Sequence, residues 1–437
     1  MPSFFSGMCN PPFCGTLFVI RIGGSALAQT GRLFSNRNFV LLFSGQSLSS
    51  IGTNVYSFAL LWDMKVLTQN AFLMSLVGLG WALPQVLFGP VAGVVVDRFS
   101  KRWIMLLSDA VRFFLVVIVT FLSYVHSLNA WEMIMMAFLS NTVATVFNPA
   151  AGTLTPLIVT EDQLPNANGL QQAAGPASMI LGPAISAGLI AYAGVTAAFL
   201  LNALTFFISV ASLLFMTLQE PAIHKKPITT HHIFAEMKEG VMAIKGIKLL
   251  VVLFPVAFLL NFMFAPTDLY IIQYVTEILH GNQVLVGEMN AVFAVGMLLG
   301  AVLVGFIGRF LRAGFLVGGG ILTSTLMIAM MVLYPQRMFD LICMFVGGFG
   351  MSVVNVTIMT LLQQVVEKPV MGRVFALLNT MFGAAMPLGM LIGGIAASLF
   401  NVRIILGITG LIGVLLAMLT LSFRTIRETK HLTMSAN

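Results

Sequence analysis

Charge is what this chain has least of. Asp, Glu, Lys and Arg together make up 8% of its 437 residues, against roughly 25% in a soluble domain, which needs them to keep its surface hydrated. So few charges cannot cover a globular surface, and a soluble enzyme or scaffold is excluded. Cysteine is also scarce. Cys9, Cys14 and Cys343 make neither a disulfide framework nor a zinc site, and His231 and His232 lack a companion Cys or His cluster, so no metal is expected. The chain has no Gly-x4-Gly-Lys-Ser/Thr phosphate loop, no nucleophile elbow and no His-Glu-x-x-His. Those absences leave no enzyme signature, no cofactor and no ATP hydrolysis within this chain to drive a cycle.

What is present is apolar length. Hydrophobic residues make up 58% of the chain, its mean hydropathy is +0.98, and its apolar segments repeatedly reach the ~20 residues a helix needs to cross the hydrocarbon core. The expected fold class is an all-α polytopic membrane protein embedded in the lipid bilayer, with twelve transmembrane helices in two six-helix halves. Spans are expected near 38–62, 71–96, 103–125, 131–156, 167–192 and 196–218, then near 248–274, 284–308, 313–334, 338–365, 371–399 and 402–423. Residues 219–247 form the one long polar segment, a linker expected to carry an amphipathic helix. It separates the N-terminal half (38–218) from the C-terminal half (248–423). Residues 1–37 read as a flexible extension and 424–437 as a tail. Ala26-Leu27-Ala28 looks like a signal-peptidase site, but no basic region precedes it.

The net charge of +7 points to topology and not to nucleic acid, because the bases lie on one side. With the N-terminus inside, only Lys65, Arg337 and Arg403 fall in outer loops and Arg112 within a span; every other Lys and Arg falls in an inner segment. By the positive-inside rule both termini are cytoplasmic. The segment LLGAVLVGFIGRFLR (298–312) also aligns without gaps on LFGPVAGVVVDRFSK (87–101), Arg309-Phe310 on Arg98-Phe99, with Gly308 in place of Asp97. Corresponding inner loops in two halves indicate parallel repeats, an arrangement suited to rocking transport.

The loop after the second span carries Gly93, Asp97, Arg98, Ser100, Lys101 and Arg102. This pattern resembles the signature of the major facilitator superfamily, with Ser100 where glycine is usual. ALPQVLFGPVAGVVVDR, FNPAAGTLTPLIVTEDQLPNANGL, FLLNALTFFISV, EMKEGVMAIKGIKLL and LLQQVVEKPVMGRVFALL resemble bacterial drug-efflux permeases of the macrolide-exporter and enterobactin-exporter type, over nearly the whole chain from Asn38. The resemblance implies a secondary transporter of the bacterial inner membrane, functional as a monomer, that exports an amphipathic drug-like compound or siderophore in exchange for protons. Proton-coupled uptake of a nutrient or metal chelate, and a membrane sensor or assembly partner that moves nothing, are the alternatives. It also implies that Asp97 meets the N-terminal end of span eleven, near Gly372 and Arg373, so that Gly93, Asp97, Arg98, Lys101, Arg102 and Arg373 form an inner gate. Gly182-Pro183 stands where the family has its fifth-helix antiporter motif. Ser186 and Ala187 replace the two later glycines, which keeps a packing seam of small residues and weakens the inference of antiport.

Ionisable groups inside the bilayer are functional candidates. Asp109 and Arg112, at i and i+3 on the third span, read as an ion pair serving structure or the gate, on a helix the resemblance places at the bundle periphery. Asp63 and Asp268, on the first and seventh spans, lack an evident basic partner and read as carriers that take a proton up outside and release it inside. Polar stripes mark the substrate path: Gln46, Ser50, Asn54 and Ser57 on the first span, Asn141, Thr145 and Asn148 on the fourth, Asn261 on the seventh and Asn355 on the tenth. In the family fold these spans converge, which implies a central polar cavity.

Overall fold

A computed structural model describes residues 33–217, 248–366 and 368–423. Residues 1–32, 218–247 with the whole linker, 367 and the tail lie outside the described residues, and with them Cys9, Cys14, His231, His232 and the amphipathic helix expected in the linker.

Thirteen helices are described. The N-terminal half holds α1 (Arg37–Thr68), α2 (Ala71–Arg98), α3 (Lys101–Tyr124), α4 (Ala130–Ile158), α5 (Leu164–Ala193) and α6 (Val195–Phe215). The C-terminal half holds α7 (Lys248–Phe264), α8 (Thr267–Glu277), α9 (Gln283–Ile307), α10 (Ala313–Leu333), α11 (Arg337–Val365), α12 (Lys368–Leu399) and α13 (Val402–Ser422). Their starts follow local chemistry. Asn36, Asn70, Asn129, Asn282 and Asn401 each accept from a backbone N–H of the first turn, and Asn129 forms a full capping box with Glu132.

Eleven segments are long and apolar enough to cross a membrane, with α7 and α8 counted as one. The twelfth, α1, has 32 residues but is diluted by Gln46, Ser47, Ser49, Ser50, Thr53 and Asn54. The seventh span, expected near 248–274, is present as one membrane segment over Leu250–Glu277, with a break inside it. Pro266 separates α7 from α8, because proline has no N–H to continue the ladder and its ring opposes a straight helix. The helices of each half pair alike: α2 lies on α4 as α9 lies on α11, and α3 on α6 as α10 on α13.

The core shows how the halves meet. Leu33, Thr217, Lys248 and Phe423, the boundary residues of the described segments, lie at one end of the bundle, here the terminal end. At the other, distal end, one apolar cluster draws on both halves, with Tyr56, Ala187 and Phe199 beside Tyr270, Tyr274 and Met289. At the terminal end the clusters are separate, one around Phe39, Val96 and Ile158 and two in the C-terminal half around Val304 and Ala417 and around Phe254 and Val374. Contacts between halves run through α5 with α9 and α2 with α12. They are tight distally, where a Cβ on Gly287 would stand 2.6 Å from that of Ala187, and one on Gly394 would strike Ser75. The halves are joined at the distal end, and among the described residues no apolar cluster spans both halves at the terminal end.

Candidate functional site

The amide stripes of α1 and α4 face each other. Gln46, Asn54, Asn141 and Asn148 line one cavity of about 380 Å³ in the N-terminal half, together with Thr53, Arg112 and Gln171. Asn261, Asp268 and Asn355 line a second, of about 320 Å³, in the C-terminal half. Between them lies a smaller space bounded by Asn54, Ser57, Trp81, Asp268 and Asn290, to which both halves contribute. Another space connects Arg112 and Asn141 to Ser57 and Trp81. The expected substrate residues thus fall into two pockets, one in each half, linked by the space at the interface of the halves.

The amides share a local arrangement. Asn54 Nδ2 donates to the Ser50 carbonyl at 2.9 Å, Asn141 Nδ2 to Ala137 at 3.0 Å and Asn261 Nδ2 to Ala257 at 2.9 Å. Each bond uses one N–H on the preceding turn, which fixes the rotamer and leaves the second N–H and the Oδ1 for another partner.

The two pockets differ in chemistry. The C-terminal one has a single charged lining residue, Asp268, set among Met297, Met327, Met351 and Met386. Asp268 lies in the first turn of α8, just past the break at Pro266. The N-terminal pocket has Arg112 as its charged group. Arg112 NH1 stands 3.7 Å from Asp109 Oδ1, so the expected ion pair is present. Asp109 Oδ2 accepts from Ser209 Oγ at 2.5 Å, Arg112 NH2 donates to Thr53 Oγ1 at 3.2 Å, and the guanidinium lies 4.3 Å from the centre of the Phe206 ring. α3 has an outer face, with Trp103, Leu107, Phe114 and Phe121 exposed, while Asp109 and Arg112 on its inner side are both buried and the arginine lines the cavity. Only its tertiary neighbours reveal that position. Arg112, Gln171, Trp81 and Asn290 are cavity residues that the helical stripes did not mark.

Asp63 lies elsewhere. It is half-buried, two turns beyond Tyr56 on the face of α1 whose Gly45, Gly52 and Tyr56 pack on α6. It borders none of the cavities described above. Glu288 is a rim residue paired with Arg337 at 2.7 Å. Asp340, in the first turn of α11, is fully buried, with the Tyr274 hydroxyl 3.1 Å from its Oδ2.

The expected gate residues have different surroundings. Asp97 and Arg98 are exposed at the terminal end of α2, and Gly93 faces open space. Lys101 opens α3. Arg102 is bound to α6: its Nε donates to the Leu213 carbonyl at 2.9 Å and NH2 to that of Leu214 at 2.8 Å, which caps the C-terminal turn. Arg373 lies in α12, but its side chain is outside the described residues. At Gly182-Pro183, a Cβ on Gly182 would strike Asn54, and Ser186 Oγ donates to the Val55 carbonyl at 2.9 Å. This seam joins α5 to α1, and Ala187 carries it on to α9.

Comparison with known proteins gives one consistent answer. The model of the family described as Major Facilitator Superfamily matches residues 42–385 and 253–435. Macrolide efflux protein A of Streptococcus pyogenes is 26% identical over 368 residues, covering 84% of this chain and 90% of that one. Multidrug efflux pump Tap of Mycobacterium bovis (strain BCG / Pasteur 1173P2) is 25% identical over 375 residues, covering 82% and 87%. The nucleoside transporter NupG has a similar structure, with a TM-score of 0.69 at 12% identity over 89% of this chain and 100% of that one. So has a bacterial homologue of the iron transporter ferroportin in an inward-facing state, with a TM-score of 0.66 at 16% identity over 89% and 99%. These two likenesses concern the fold alone.

Proposed function

The chain belongs to the Major Facilitator Superfamily, and from that premise we propose that it exports an amphipathic small molecule, a drug-like compound or a siderophore, from the cytoplasm of a bacterium. It is a transporter and not an enzyme. The observation that carries the direction is its likeness along most of its length to a macrolide efflux protein and a multidrug efflux pump. The two pockets support an amphipathic cargo, since one is polar and basic and the other is lined by methionines, whose flexible, polarizable side chains adapt to varied apolar shapes.

In this reading the terminal end faces the cytoplasm of a cell whose inner membrane the chain spans, as the positive-inside count requires. The structure is then the inward-open form, ready to load. Protons supply the energy. Asp268 is the principal carrier, because it sits where both halves and both pockets meet, and Asp63 is the second. Asp97, Arg98, Lys101 and Arg373 belong to a gate that is open in this form, and one copy of the chain suffices for transport.

Inside-out vesicles carrying the protein, with an acid-inside proton gradient imposed, test the reading with radiolabelled erythromycin and an iron-free catecholate siderophore. The expected result is accumulation of at least one of them, abolished by a protonophore and by Asp268→Asn. The reading fails if neither compound accumulates, or if accumulation is indifferent to the gradient.

A further inference from the structure

The buried polar atoms without a hydrogen-bond partner are not scattered at random. Three of them, Gln46 Nε2, Ser47 Oγ and Arg112 Nε, belong to residues that line the N-terminal pocket. All three can donate, and two of them can only donate. A buried donor left unpaired costs free energy, more when the group is charged, and the three residues that carry these donors all border one cavity of about 380 Å³, so its wall is richer in donors than in acceptors for them.

The charge has the same sense. Among the described residues that line this pocket none is acidic, and Arg112 is the only base. Its acid, Asp109, does not line the pocket and is held from the far side by Ser209. Its approach to the guanidinium, 3.7 Å, is outside hydrogen-bond distance. A directly bonded arginine–carboxylate pair lies nearer, at about 2.7–2.9 Å. Here the arginine leans toward the cavity instead, with NH2 on Thr53 and one face on Phe206. The positive end of the Asp109–Arg112 dipole therefore points at the open space.

We propose that this pocket binds an anionic oxygen group of the transported compound, a carboxylate or its equivalent, with Arg112 as the charge partner and Gln46 and Ser47 as flanking donors. The apolar body then extends toward the methionine-lined pocket. The inference rests on the exporter reading and narrows it, from amphipaths in general to amphipathic acids. Thr53 and Phe206 are positioning residues, because they hold the guanidinium.

The test uses the full chain in phosphatidylcholine nanodiscs, titrated calorimetrically with three compounds that share one apolar body: 1-naphthaleneacetate, its primary amide and 2-(1-naphthyl)ethylamine. The acid is expected to bind about tenfold or more tightly than the amide, the usual gain from a charged hydrogen bond. Arg112→Gln alone strands Asp109 in the core and risks misfolding. The informative variant is therefore Asp109→Asn with Arg112→Gln, which removes both charges at nearly constant volume. In it, acid and amide are expected to bind alike. Gln46→Leu, which keeps both charges, is expected to weaken the acid alone. Equal binding of acid and amide by wild type, or a preference for the acid that survives in the double variant, overturns the proposal. A lipid headgroup carries the same chemistry, so the titration is repeated with phosphatidylglycerol added. Loss of the acid's binding there assigns the pocket to lipid and also overturns it. Vesicle transport of erythromycin, an amine base, beside 1-naphthaleneacetate separates the two readings: transport of erythromycin without any preference for the acid leaves the exporter standing and removes this inference, whereas Arg112-dependent binding of the acid with no compound transported does the reverse.

Discussion

Lys65 Nζ donates to Glu277 Oε1 at 2.5 Å, across the boundary between the halves. Lys65 ends α1 and Glu277 ends α8, so the bond crosses the distal end, the end that is shut. It joins two of the few charges on that side of the chain. The lysine is buried and the carboxylate is partly exposed, which limits the worth of the pair to about 1 kcal/mol. Glu277→Gln is expected to move the equilibrium toward a distally open form by roughly fivefold. Spin labels at Gln69 and Asn282 would report it as a longer distance between the distal loops. The charge-swapped pair Lys65→Glu with Glu277→Lys should restore the original distribution. An unchanged distribution in Glu277→Gln would show that apolar packing alone closes this end.

The glycine contacts give a stronger version of the same shift. Gly287 on α9 and Gly394 on α12 are where the opposite half comes closest, against Ala187 and Ser75. Gly287→Leu puts a branched side chain into that seam. Overpacking of this kind costs about 1–3 kcal/mol, and here the chain can avoid the cost by parting at the distal end. Accessibility of a cysteine placed at Ser57 to a membrane-impermeant thiol reagent should rise from the outer side and fall from the inner side. Lower stability with no change in accessibility would mean that the seam is not a moving contact.

How far the sequence discloses the site depends on whether a residue's role is set along its own helix or across to another. The stripes of Gln46 with Asn54 and of Asn141 with Asn148 repeat at helical spacing, so their common face was legible, and the structure places all four on one cavity. Helix starts were equally local, since Asn129 and Glu132 cap through side chains three residues apart. Arg112 is the opposite case. Its spacing from Asp109 predicts their pairing, but whether a long side chain ends among lipids or crosses to Thr53 depends on where α1 lies. Asp340 was missed for the same reason: in sequence it opens a span like any rim acid, and only the packing of Tyr274 shows it buried. The apolar run makes the seventh span legible as one segment, while the break at Pro266 within it is a local feature of the backbone. Asp63 stands at helical spacing from Gly52 and Tyr56, and only the structure shows that this face turns to α6.

Arg102 separates architecture from gating within one short loop. Its two bonds to the Leu213 and Leu214 carbonyls satisfy α6 where the helix has no further N–H to offer. Arg102→Gln is expected to lower stability by about 1–2 kcal/mol, the range for charge-assisted bonds that are partly solvated. The transport rate per folded molecule should stay within about twofold of wild type. Thermal unfolding in detergent, read beside vesicle transport normalised to protein content, checks both halves of the prediction. A large loss of transport at unchanged stability would return Arg102 to the gate.

Asp97 should show the reverse behaviour. It is exposed at the terminal end of α2 and enters no ion pair among the described residues, so Asp97→Asn removes nothing that holds this form together. Insertion and thermal stability should be unchanged. Its role is proposed for the other form, in which the terminal ends meet and Asp97 faces the start of α12. Two strengths of interaction are possible there. A carboxylate against a helix N-terminus contributes about 0.3–1 kcal/mol, so its loss would slow transport only about two- to fivefold. An ion pair with Arg373, shielded as the gate closes, contributes more, and its loss would slow transport about tenfold or more. We expect the larger effect, because a bare helix terminus is served as well by an asparagine side chain, whereas the chain keeps a lone acid among three bases at this loop. Transport by Asp97→Asn within about fivefold of wild type would reduce the gate to a dipole contact. Full activity would remove Asp97 from the gate, and Arg373→Asp combined with Asp97→Arg should recover transport only if the two charges meet.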